Sequence, residues 1–365
     1  MKIGILTYHR AYNYGAVLQC YALKEVTKRM GHDVYVIDYR QPDIERFYEY
    51  RRSFSLKKAF NKPLKESLSY LILTPLKDFK RLIIHYRFKK VFEKFQNKYL
   101  NVIGKCTSAI PDSFDCYIIG SDMLWAYDAK TSEFEPVYLG CFDHRSNSKI
   151  IGYAISGTPD SFKRLGEEKN YAFLDNFSSI SIREKALAEI VRNYTNREIS
   201  CCIDPTLLTT KELWESILKK KWLRKKYIVT YFLRVNDNTC IELNKKVKKL
   251  AKEKGLDIIN IDGRMKSAPI SVEDFVSIIG GAHYIVTDSF HGVIFSLIFE
   301  RPFHALSLHD SHDARYVDIL HTVGAGNLIV DTDYVPSIPD IDYKTLNKNV
   351  QSFREGSIRF LKSAI

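Results

Sequence analysis

Runs of β-forming residues alternate with longer segments of helical periodicity in the first part of the chain. Lys2–Tyr8 is β-rich, Gly15–Met30 carries apolar residues at helical spacing, and Asp33–Tyr39 is again β-rich. Gly31 follows the helical segment, and a glycine commonly ends a helix in this position. This order predicts a βαβ unit, in which two parallel strands are joined by a right-handed crossover.

The alternation continues along the chain, and a second series of segments begins near residue 227. Further strands of the first series are predicted at Asp115–Ile119, Lys149–Ser156, Ser179–Arg183 and Cys201–Ile203. In the second series, strands are predicted at Tyr227–Leu233, Asp257–Asp262, His283–Thr287 and Pro302–Ser307, and helices at Asp237–Lys254, Val272–Gly280 and Asp313–Val323. The same order in both series predicts two doubly wound sheets.

These two series, in a chain of 365 residues, predict an α/β protein of two doubly wound Rossmann-like domains. We place the N-terminal domain at residues 1–207 and the C-terminal domain at 208–340. A basic, aromatic-rich helical insertion is expected at about 45–100, and a C-terminal helix at 341–365 is expected to pack back on the N-terminal domain. Ligands of such folds bind at the carboxyl ends of the strands. The cleft between the domains is therefore the predicted site.

Composition indicates a folded protein of the cytoplasm. Hydrophobic residues make up 45% and charged residues 27% of the chain, as in globular proteins. The N-terminus has too short an apolar run for a signal peptide. Leu71–Leu73, the longest strongly apolar stretch of the first half, is far short of the ~20 residues of a spanning helix. The seven cysteines are scattered, which is typical of reduced thiols.

The positive charge of the chain is concentrated in one segment. Residues 46–98 contain fifteen Lys or Arg and four Asp or Glu, a net +11 against +12 for the whole chain. Such a segment indicates an anionic partner or a solvated helical face. Its many aromatic residues predict either packing on a core or peripheral contact with an anionic membrane, at the inner face, where a lipid-linked glycan would be found. Because the segment lies outside both predicted clefts, no nucleic-acid partner is expected.

Two loops of the first domain carry candidate binding residues. The loop after the first strand contains Arg10, Asn13, Tyr14 and Gly15 and opens a helix, whose free amides favour an anion or a polar sugar group. An ordinary helix cap by the asparagine is the alternative. The strand that ends at residue 119 is followed by Gly120, Ser121, Asp122 and Trp125. The first two could lie against a ligand, the aspartate could accept a sugar hydroxyl or a proton, and the tryptophan could stack on a sugar face. A plain helix cap by the aspartate is the alternative.

Three strand ends supply candidate side chains for binding and catalysis. Ser156 ends one strand, and Arg183 ends another, where its guanidinium can bind a carboxylate or phosphate in bidentate fashion. A surface pair of this arginine with Glu184 is the alternative. His291 follows a strand that ends in Thr-Asp-Ser, so a group that transfers protons near neutral pH would face the cleft beside Asp288.

A cluster of histidines and aspartates between residues 304 and 315 has the composition of a metal site. It comprises His304, His309, Asp310, His312, Asp313 and Arg315. The spacing fits no closed zinc pattern, so we predict no metal there. Arg315 lies near the start of a predicted helix and is expected to reach an anionic substrate.

Taken in order, these motifs resemble those of the polysaccharide pyruvyl transferase family. The resemblance covers roughly residues 3–325 and rests on Asn13–Gln19, Gly120–Asp122 with Trp125, Tyr153–Ala154 with Ser156, Ile182–Glu184, Asp204–Thr206 and Asp288–Gly292. It implies a fold similar to that of two-domain GT-B glycosyltransferases. It also implies phosphoenolpyruvate as the donor substrate, no cofactor, and a sugar acceptor in a cell-surface polysaccharide (such as an exopolysaccharide) or its lipid-linked precursor.

The product that the resemblance implies is a pyruvate ketal formed on two hydroxyls of the acceptor. His291 corresponds to the family's essential histidine and Arg183 to an arginine that binds the donor. Protonation of the enol carbon needs a general acid, which we assign to His291, and the attacking hydroxyls need a base, which Asp122 or Asp288 could supply. Cations must hold the donor, so Arg315 and Arg10 are further candidates.

The remaining candidate residues are assigned to the donor or to the acceptor by their positions in the sequence. We assign Ser289, Phe290 and Gly292 to the donor site. The residues assigned to the acceptor or the cleft are Arg10, Asn13, Tyr14, Gly15, Gly120, Ser121, Trp125 and Ser156. The chain departs from some members in having Ser289 where they carry an arginine two residues before the histidine, which removes a cation from the donor pocket. Two alternatives stay open: a GT-B-like glycosyltransferase that uses a nucleotide sugar in polysaccharide biosynthesis, and a glycan-binding protein without activity.

Overall fold

The computed structural model describes residues 1–50, 53, 55, 64–126, 134–234, 237–262, 268–310 and 313–365. Within these residues the chain forms two parallel β-sheets with helices packed on them. Parts of the basic segment at 46–98, as well as His312, lie outside the described residues.

The first sheet has seven described strands, all parallel, and its strand order reverses near the middle. The strands are β1 (Lys2–Leu6), β2 (Asp33–Tyr39), β3 (Val102–Cys106), β4 (Cys116–Ile119), β5 (Lys149–Ile155), β6 (Ser179–Ile182) and β7 (Ile199–Cys201). They lie in the order β3-β2-β1-β4-β5-β6-β7, so the order reverses between β1 and β4. Loops after these two central strands therefore flank a crevice at the carboxyl edge.

Helices on both faces of this sheet follow the apolar pattern of the sequence. They are α1 (Tyr14–Arg29), α2 (Pro42–Phe47), α3 (Leu64–Tyr99), α4 (Pro159–Lys169) and α5 (Lys185–Arg192). Asn13 caps α1, because its Oδ1 accepts a hydrogen bond from the amide of Ala16 at 3.2 Å. Gly31 has a φ of 92°, in the left-handed region that glycine adopts without strain, and the helix has ended before it. The predicted first βαβ unit is confirmed by these bounds.

The second sheet has five described parallel strands and a reversal of its own. They are β8 (Tyr227–Phe232), β9 (Asp257–Asp262), β10 (Tyr284–Thr287), β11 (Phe303–Leu306) and β12 (Ile329–Val330), in the order β12-β11-β10-β8-β9. The accompanying helices are α6 (Pro205–Leu208), α7 (Lys211–Glu215), α8 (Lys220–Leu223), α9 (Asn238–Lys254), α10 (Val272–Gly281), α11 (Phe290–Ile298), α12 (Ala314–Val323) and α13 (Tyr343–Ala364). The reversal lies between β8 and β10, next to the predicted histidine motif.

The predicted fold class, α/β with two doubly wound sheets, is confirmed by this topology. One strand differs in position, since β7 covers Ile199–Cys201 and not Cys201–Ile203. Two strands were not predicted from the sequence. β3 is only half-buried and contains Gly104, and β12 has two residues, so neither carries enough β-forming residues to be recognised without its neighbour in the sheet.

The C-terminal helix α13 contacts residues that precede the second sheet. Ser357 Oγ accepts a hydrogen bond from the amide of Ile203 at 3.0 Å, and Arg354 Nε donates to the carbonyl of Leu207 at 2.7 Å. At its end, Lys149 Nζ donates to the carbonyl of Ile365 at 2.9 Å. The domain boundaries at 207 and 340 stay predictions, because these contacts do not define where one folding unit ends.

Candidate functional site

His291 lies in the first turn of α11, directly after the carboxyl end of β10. Ser289 caps this helix, since its Oγ accepts a hydrogen bond from the amide of Gly292 at 3.4 Å. The cap fixes the direction in which the helix leaves the sheet. The imidazole is consequently carried toward the first domain and is only 8% exposed.

The start of α1 lies against this imidazole. A Cβ atom placed on Gly15 would be 1.9 Å from His291 Nδ1, so only a residue without a side chain fits there. Beside it, the Tyr14 ring stacks on Phe275 of α10 with ring centres 4.6 Å apart, and its hydroxyl donates to the carbonyl of Ile270 at 3.1 Å. The loop after β1 and the histidine motif after β10 therefore share one site.

Gly15→Ala is expected to displace the His291 ring and to lower the catalytic rate about tenfold to a hundredfold, because about 1 Å of misplacement can cost that much. The added methyl group meets the ring itself, so the ring must move. Steady-state rates measured on folded protein test this. Gly356→Ala in α13 is the matched control, since the nearest atom to its added Cβ is the flexible Arg359 end at 3.9 Å. Equal rates for the two variants would contradict the contact.

Asp204 joins the two side chains on which the catalytic hypothesis rests. Its Oδ2 accepts a hydrogen bond from Arg183 Nη1 at 2.9 Å, and its Oδ1 lies 3.9 Å from His291 Nε2. Oδ1 also accepts hydrogen bonds from the amide and the hydroxyl of Thr206 at 3.0 and 2.7 Å. Burial opposes the charged form, but His291, Arg183 and Thr206 together hold the pKa of the Asp204 carboxyl below its ordinary value.

Arg183 is buried within a network of hydrogen bonds. Besides Asp204, it donates from Nε to Glu184 Oε1 at 2.9 Å and from Nη2 to Ser156 Oγ at 2.6 Å. The ion pair with Glu184 exists, but both side chains are buried, so it is not the surface pair considered as the alternative. Three of the five N–H groups of Arg183 are engaged in this way, which fixes the guanidinium in one orientation.

A second arginine lies near the same aromatic ring, that of Phe290. Arg183 Cζ is 4.6 Å and Arg315 Cζ is 6.0 Å from the centre of the Phe290 ring. Arg315 Nε is buried and has no hydrogen-bond partner among the described residues. Burial, followed by the like charge of Arg183, lowers the pKa of Arg315. Because both groups are positively charged, an anion bound next to them would stabilise the pair.

The environment of His291 shifts its imidazole toward the neutral form. Burial lowers its pKa, and the carboxylates of Asp204 and Asp122 offset only part of the shift. Nε2 is buried without a hydrogen-bond partner among the described residues. A ring nitrogen in this state can bond to a substrate, and an anionic substrate would favour its protonation.

Asp122 faces the same group of charges from a strained turn. Its φ is 95°, a conformation that residues other than glycine rarely adopt, and its carbonyl accepts the amide of Ser156 at 3.0 Å. Its carboxylate acts electrostatically on His291, Arg183 and Arg315. Strained residues held by their surroundings are frequent at functional sites, so Asp122 stays the candidate base.

The prediction that Trp125 stacks on a sugar is wrong. The indole is fully buried in the first domain, where it packs on Phe162, Phe173 and Phe177. Its Nε1 donates to the carbonyl of Tyr138 at 3.1 Å. A large aromatic side chain that buries this much apolar surface contributes to folding and not to the cleft.

Three neighbouring predictions also need correction, because the residues hold the loops and do not face a ligand. Ser121 is fully buried, and its hydroxyl donates to the carbonyl of Ala154 at 2.8 Å. Gly120 is required by the backbone, since a Cβ there would lie 2.1 Å from the carbonyl oxygen of Tyr153 and its φ is 129°. Tyr14, as described above, connects the two halves of the molecule.

The first loop places its two remaining candidates in structural roles. Arg10 is paired with Glu45 through its Nε and with Asp38 at 3.4 Å through Nη1, so it is not a free cation for the donor. Asn13 is exposed and caps α1, which is the alternative considered from the sequence. These assignments leave Arg183 and Arg315 as the arginines at the histidine.

Asp288 is wrong as a candidate base. Both oxygens are engaged, because Oδ1 accepts the amide of Leu233 at 2.5 Å and Oδ2 accepts the amide and Nε of Arg234 at 3.0 and 2.9 Å. Its side chain is fully buried. Asp288 therefore fastens the loop after β8 to the end of β10. Arg234, which extends this network to Asp310 and Asp313, gave no signal in the sequence.

The histidines and aspartates between residues 304 and 315 are dispersed over separate contacts. His304 Nδ1 is 2.8 Å from the Tyr284 hydroxyl, and His309 pairs with Asp331 at 3.0 Å. Asp310 and Asp313 bind Arg234. Among the residues that the structure describes, no group of three or more metal-ligating side chains could hold an ion. Arg315 is the member of this cluster that reaches the histidine motif.

Comparison with solved structures finds distant neighbours over nearly the whole chain. The UDP-GlcNAc 2-epimerase of Methanocaldococcus jannaschii is 10% identical at a TM-score of 0.46, covering 96% of this chain and 92% of its own. The UDP-GlcNAc 2-epimerase of Neisseria meningitidis bound to UDP-GlcNAc is 11% identical at 0.44, covering 100% and 94%. The E. coli heptosyltransferase WaaC with ADP is 11% identical at 0.40, covering 97% and 100%.

Sequence comparison is more specific. No curated protein matches this chain. The family model described as "Polysaccharide pyruvyl transferase" matches residues 13–310. The match spans most of the chain and includes Asn13 and the start of α1, the Arg183 and Asp204 motifs and the histidine motif of α11. The chain therefore belongs to the polysaccharide pyruvyl transferase family.

Proposed function

We propose that this protein transfers the enolpyruvyl group of phosphoenolpyruvate to two hydroxyls of a sugar, forming a pyruvate ketal. One observation carries the proposal: Arg315, whose Nε has no hydrogen-bond partner among the described residues, lies with Arg183 on the Phe290 ring, beside the histidine motif. Two cations beside a proton-transfer group suit a small donor that carries both a phosphate and a carboxylate. Membership of the family supports the same donor.

The two arginines would divide the work of binding the donor. Arg183 is held by Asp204, Glu184 and Ser156, so it supplies a fixed positive charge with two N–H groups to spare. Arg315 brings an N–H group, at Nε, that has no hydrogen-bond partner within the described ranges. It also offers a cation at a site where Ser289 replaces the arginine that some members carry. An anion between them would relieve the repulsion between the two buried guanidinium groups.

The acid step is assigned to His291. Protonation of the methylene carbon of phosphoenolpyruvate breaks the double bond and leaves a positive, oxocarbenium-like centre at the carbon that carries the phosphate and carboxylate. The first sugar hydroxyl bonds to that carbon and loses its proton to a base. Inorganic phosphate then leaves, and the second hydroxyl takes its place and loses its own proton. One proton enters from His291 and two are released from the hydroxyls, so one of these restores the protonated His291 and the other leaves on the phosphate.

Asp122 is the base that the site supports for the hydroxyl protons. It acts electrostatically on His291 from the side of the first sheet, and unlike Asp288 it is not fully buried. Among the described residues, its side-chain Oδ1 accepts one hydrogen bond, from the amide of the next residue, Met123, at 2.9 Å. An acid and a base at one site suit the addition of a hydroxyl across the enol double bond. The reaction needs no cofactor.

A direct assay tests the proposal. Purified protein is incubated with phosphoenolpyruvate and a panel of nitrophenyl glycosides and lipid-linked glycans, while phosphate release and the mass of the acceptor are followed. Acceptor-dependent phosphate release together with a ketal product is the expected result. Turnover of a nucleotide sugar, with no phosphate release for any acceptor, would overturn the proposal in favour of a glycosyltransferase.

Arg315→Gln is expected to raise KM for phosphoenolpyruvate by about tenfold to a hundredfold, because a hydrogen bond to a charged group is worth about 1.5–3 kcal/mol. The shorter amide keeps a polar side chain but loses the charge and the fork of donors. Initial rates over a range of donor concentrations measure the change. Arg359→Gln on the exposed side of α13 is the control and should leave KM unchanged. An unchanged KM in the Arg315 variant would remove this residue from the donor site.

A further inference from the structure

An exposed apolar stripe runs along the helix α3. It consists of Ile72, Leu76, Phe79, Ile83 and Tyr86, which are 61%, 63%, 63%, 39% and 61% exposed. They are separated by four, three, four and three residues, so they fall within an arc of about 80° on the helix. Large apolar side chains at such regular spacing would ordinarily be buried. We call these five residues the apolar stripe.

The apolar stripe is separate from the face of α3 that packs on the protein. Phe88, Phe92 and Phe95 lie on the opposite side of the helix and are buried to 2% exposure or less. Nearer the middle of the helix, the buried Asp78 accepts a hydrogen bond from the amide of Ser53 on a third side, at 2.9 Å. The helix thus satisfies its own fold without the stripe, and an exposed patch of this kind marks an interaction surface.

Basic residues border the apolar stripe. Lys80 and Arg87 lie along one edge, Lys89 lies on the other side, and Lys90 follows at the end of the stripe; all four are exposed. Over residues 64–99 the sequence has nine Lys or Arg and three Asp or Glu. An apolar stripe between positive side chains is complementary to an anionic lipid surface, into which the stripe can insert while the long basic side chains reach the headgroups.

The same charges disfavour a second copy of this chain as the occupant. With the apolar stripe at the a and d positions of a heptad repeat, Lys80 and Arg87 fall at e positions and Lys89 at a g position. A pair of such helices would bring like charges together in either orientation. A spanning segment is not the explanation either, because no helix within the described ranges is long and apolar enough to cross a membrane.

We propose that the apolar stripe and its flanking basic residues dock this protein on the surface of an anionic phospholipid bilayer, with α3 lying in the plane of the headgroups. The contact is peripheral and depends on both parts of the surface. Apolar burial gives affinity, and each Lys or Arg near the surface adds about 1 kcal/mol. Binding should weaken in high salt, since the electrostatic part is screened.

The docked helix is connected to the candidate site through a chain of aromatic rings. Phe92 of α3 stacks on Tyr12 with ring centres 5.7 Å apart, and Tyr12 packs on Tyr48 at 4.9 Å. Asp122 acts electrostatically on the Tyr48 hydroxyl. If the proposed function holds, docking brings the membrane that carries a lipid-linked acceptor to the side of the molecule from which these rings lead to the candidate base, Asp122.

Vesicle co-sedimentation of the full chain tests the docking. Vesicles of phosphatidylcholine alone are compared with vesicles that also contain phosphatidylglycerol. The wild-type protein is expected to bind the anionic vesicles and not the neutral ones. The Lys80→Gln and Arg87→Gln double variant should bind them about thirtyfold more weakly, from about 1 kcal/mol lost per charge. The Leu76→Ser and Phe79→Ser double variant should bind the anionic vesicles at least tenfold more weakly, because it has less apolar surface to bury.

The control is a Lys245→Gln and Lys248→Gln double variant, which removes two exposed charges from α9, where no such stripe exists among the described residues. It should bind as the wild type does. Equal binding to neutral vesicles, no binding at all, or an equal loss in the control would each overturn the proposal. A wild-type dimer that Leu76→Ser and Phe79→Ser convert to monomers would overturn it in favour of a second copy. Activity on soluble glycosides should be unchanged in every variant, which separates this test from that of the proposed function.

Discussion

Replacing His291 by glutamine is expected to lower kcat for ketal formation by about 10²- to 10⁴-fold, the range that general acid catalysis supplies. Glutamine has a polar end of similar reach but cannot deliver a proton at neutral pH. The ring is nearly buried, lies 3.9 Å from Asp204 and has one nitrogen without a hydrogen-bond partner in the described part of the chain. Its loss therefore removes a proton donor from the site.

The measurement is the rate of phosphate release at saturating phosphoenolpyruvate and acceptor, on protein whose thermal unfolding resembles that of the wild type. His283→Gln is the matched control, since His283 precedes β10 and is exposed. It should keep full activity. If the His291 variant retained more than about a third of the wild-type kcat, the histidine would not be the acid, and the mechanism would need another proton source.

The dependence of the rate on pH gives a second readout of the same residue. Burial lowers the pKa of His291 below its ordinary value, and the nearby carboxylates of Asp204 and Asp122 offset part of the shift. Since the protonated ring is the acid, kcat/KM should fall as pH rises through that lowered pKa. Bound donor favours the imidazolium, so kcat should fall only at higher pH. A kcat/KM that rises with pH over this range would assign His291 to the role of base.

Replacing Arg183 by methionine is expected to lower the free energy of unfolding by about 3–5 kcal/mol, the cost of breaking a buried ion pair from one side. Arg183 is 7% exposed and neutralises two carboxylates, those of Glu184 and Asp204, which are themselves buried. Methionine fills much of the same volume but leaves both carboxylates without the cation. The effect should be visible as a lower midpoint of urea unfolding.

Arg197→Met provides the comparison for this variant. Arg197 lies on the surface and pairs with an exposed Asp175 at 3.9 Å, so its loss should change the unfolding free energy by no more than about 0.5 kcal/mol. Comparable midpoints for the two variants would mean that the Arg183 network contributes little to the fold. In that event the guanidinium would serve the donor alone, and KM for phosphoenolpyruvate would be the property affected.

The parts of the fold that the sequence could predict are those whose pattern is local. β2 was predicted at its observed bounds, Asp33–Tyr39, because five of its seven residues are β-forming and Gly31, two residues earlier, marks the end of the preceding helix. α9 was predicted within one residue, since Asp237 caps it and Gly255 ends it. β3 depends on its pairing with β2 at the edge of the sheet. Pairing of that kind is a long-range contact that a local pattern does not contain.

In the candidate site, residue type was more predictable than direction. His291 and Arg183 were singled out because they follow strand ends, and both lie at Asp204. The same argument wrongly placed Trp125 and Asp288 in the cleft. A strand end predicts that a side chain is near the carboxyl edge of a sheet, but whether it faces the cleft or the core depends on the turn that follows. Arg234, which engages Asp288, comes from a different strand.

The sequence by itself determined the two parallel sheets, the family and the histidine that the proposed chemistry requires, because strand periodicity and short motifs are written in neighbouring residues. Only the tertiary structure decided that Asp204 connects His291 to Arg183, that Arg315 Nε has no hydrogen-bond partner in the described part of the chain, and that an apolar stripe on α3 is exposed. These features join residues far apart in the chain or depend on what covers a surface, so they arise when the sheets and helices pack together.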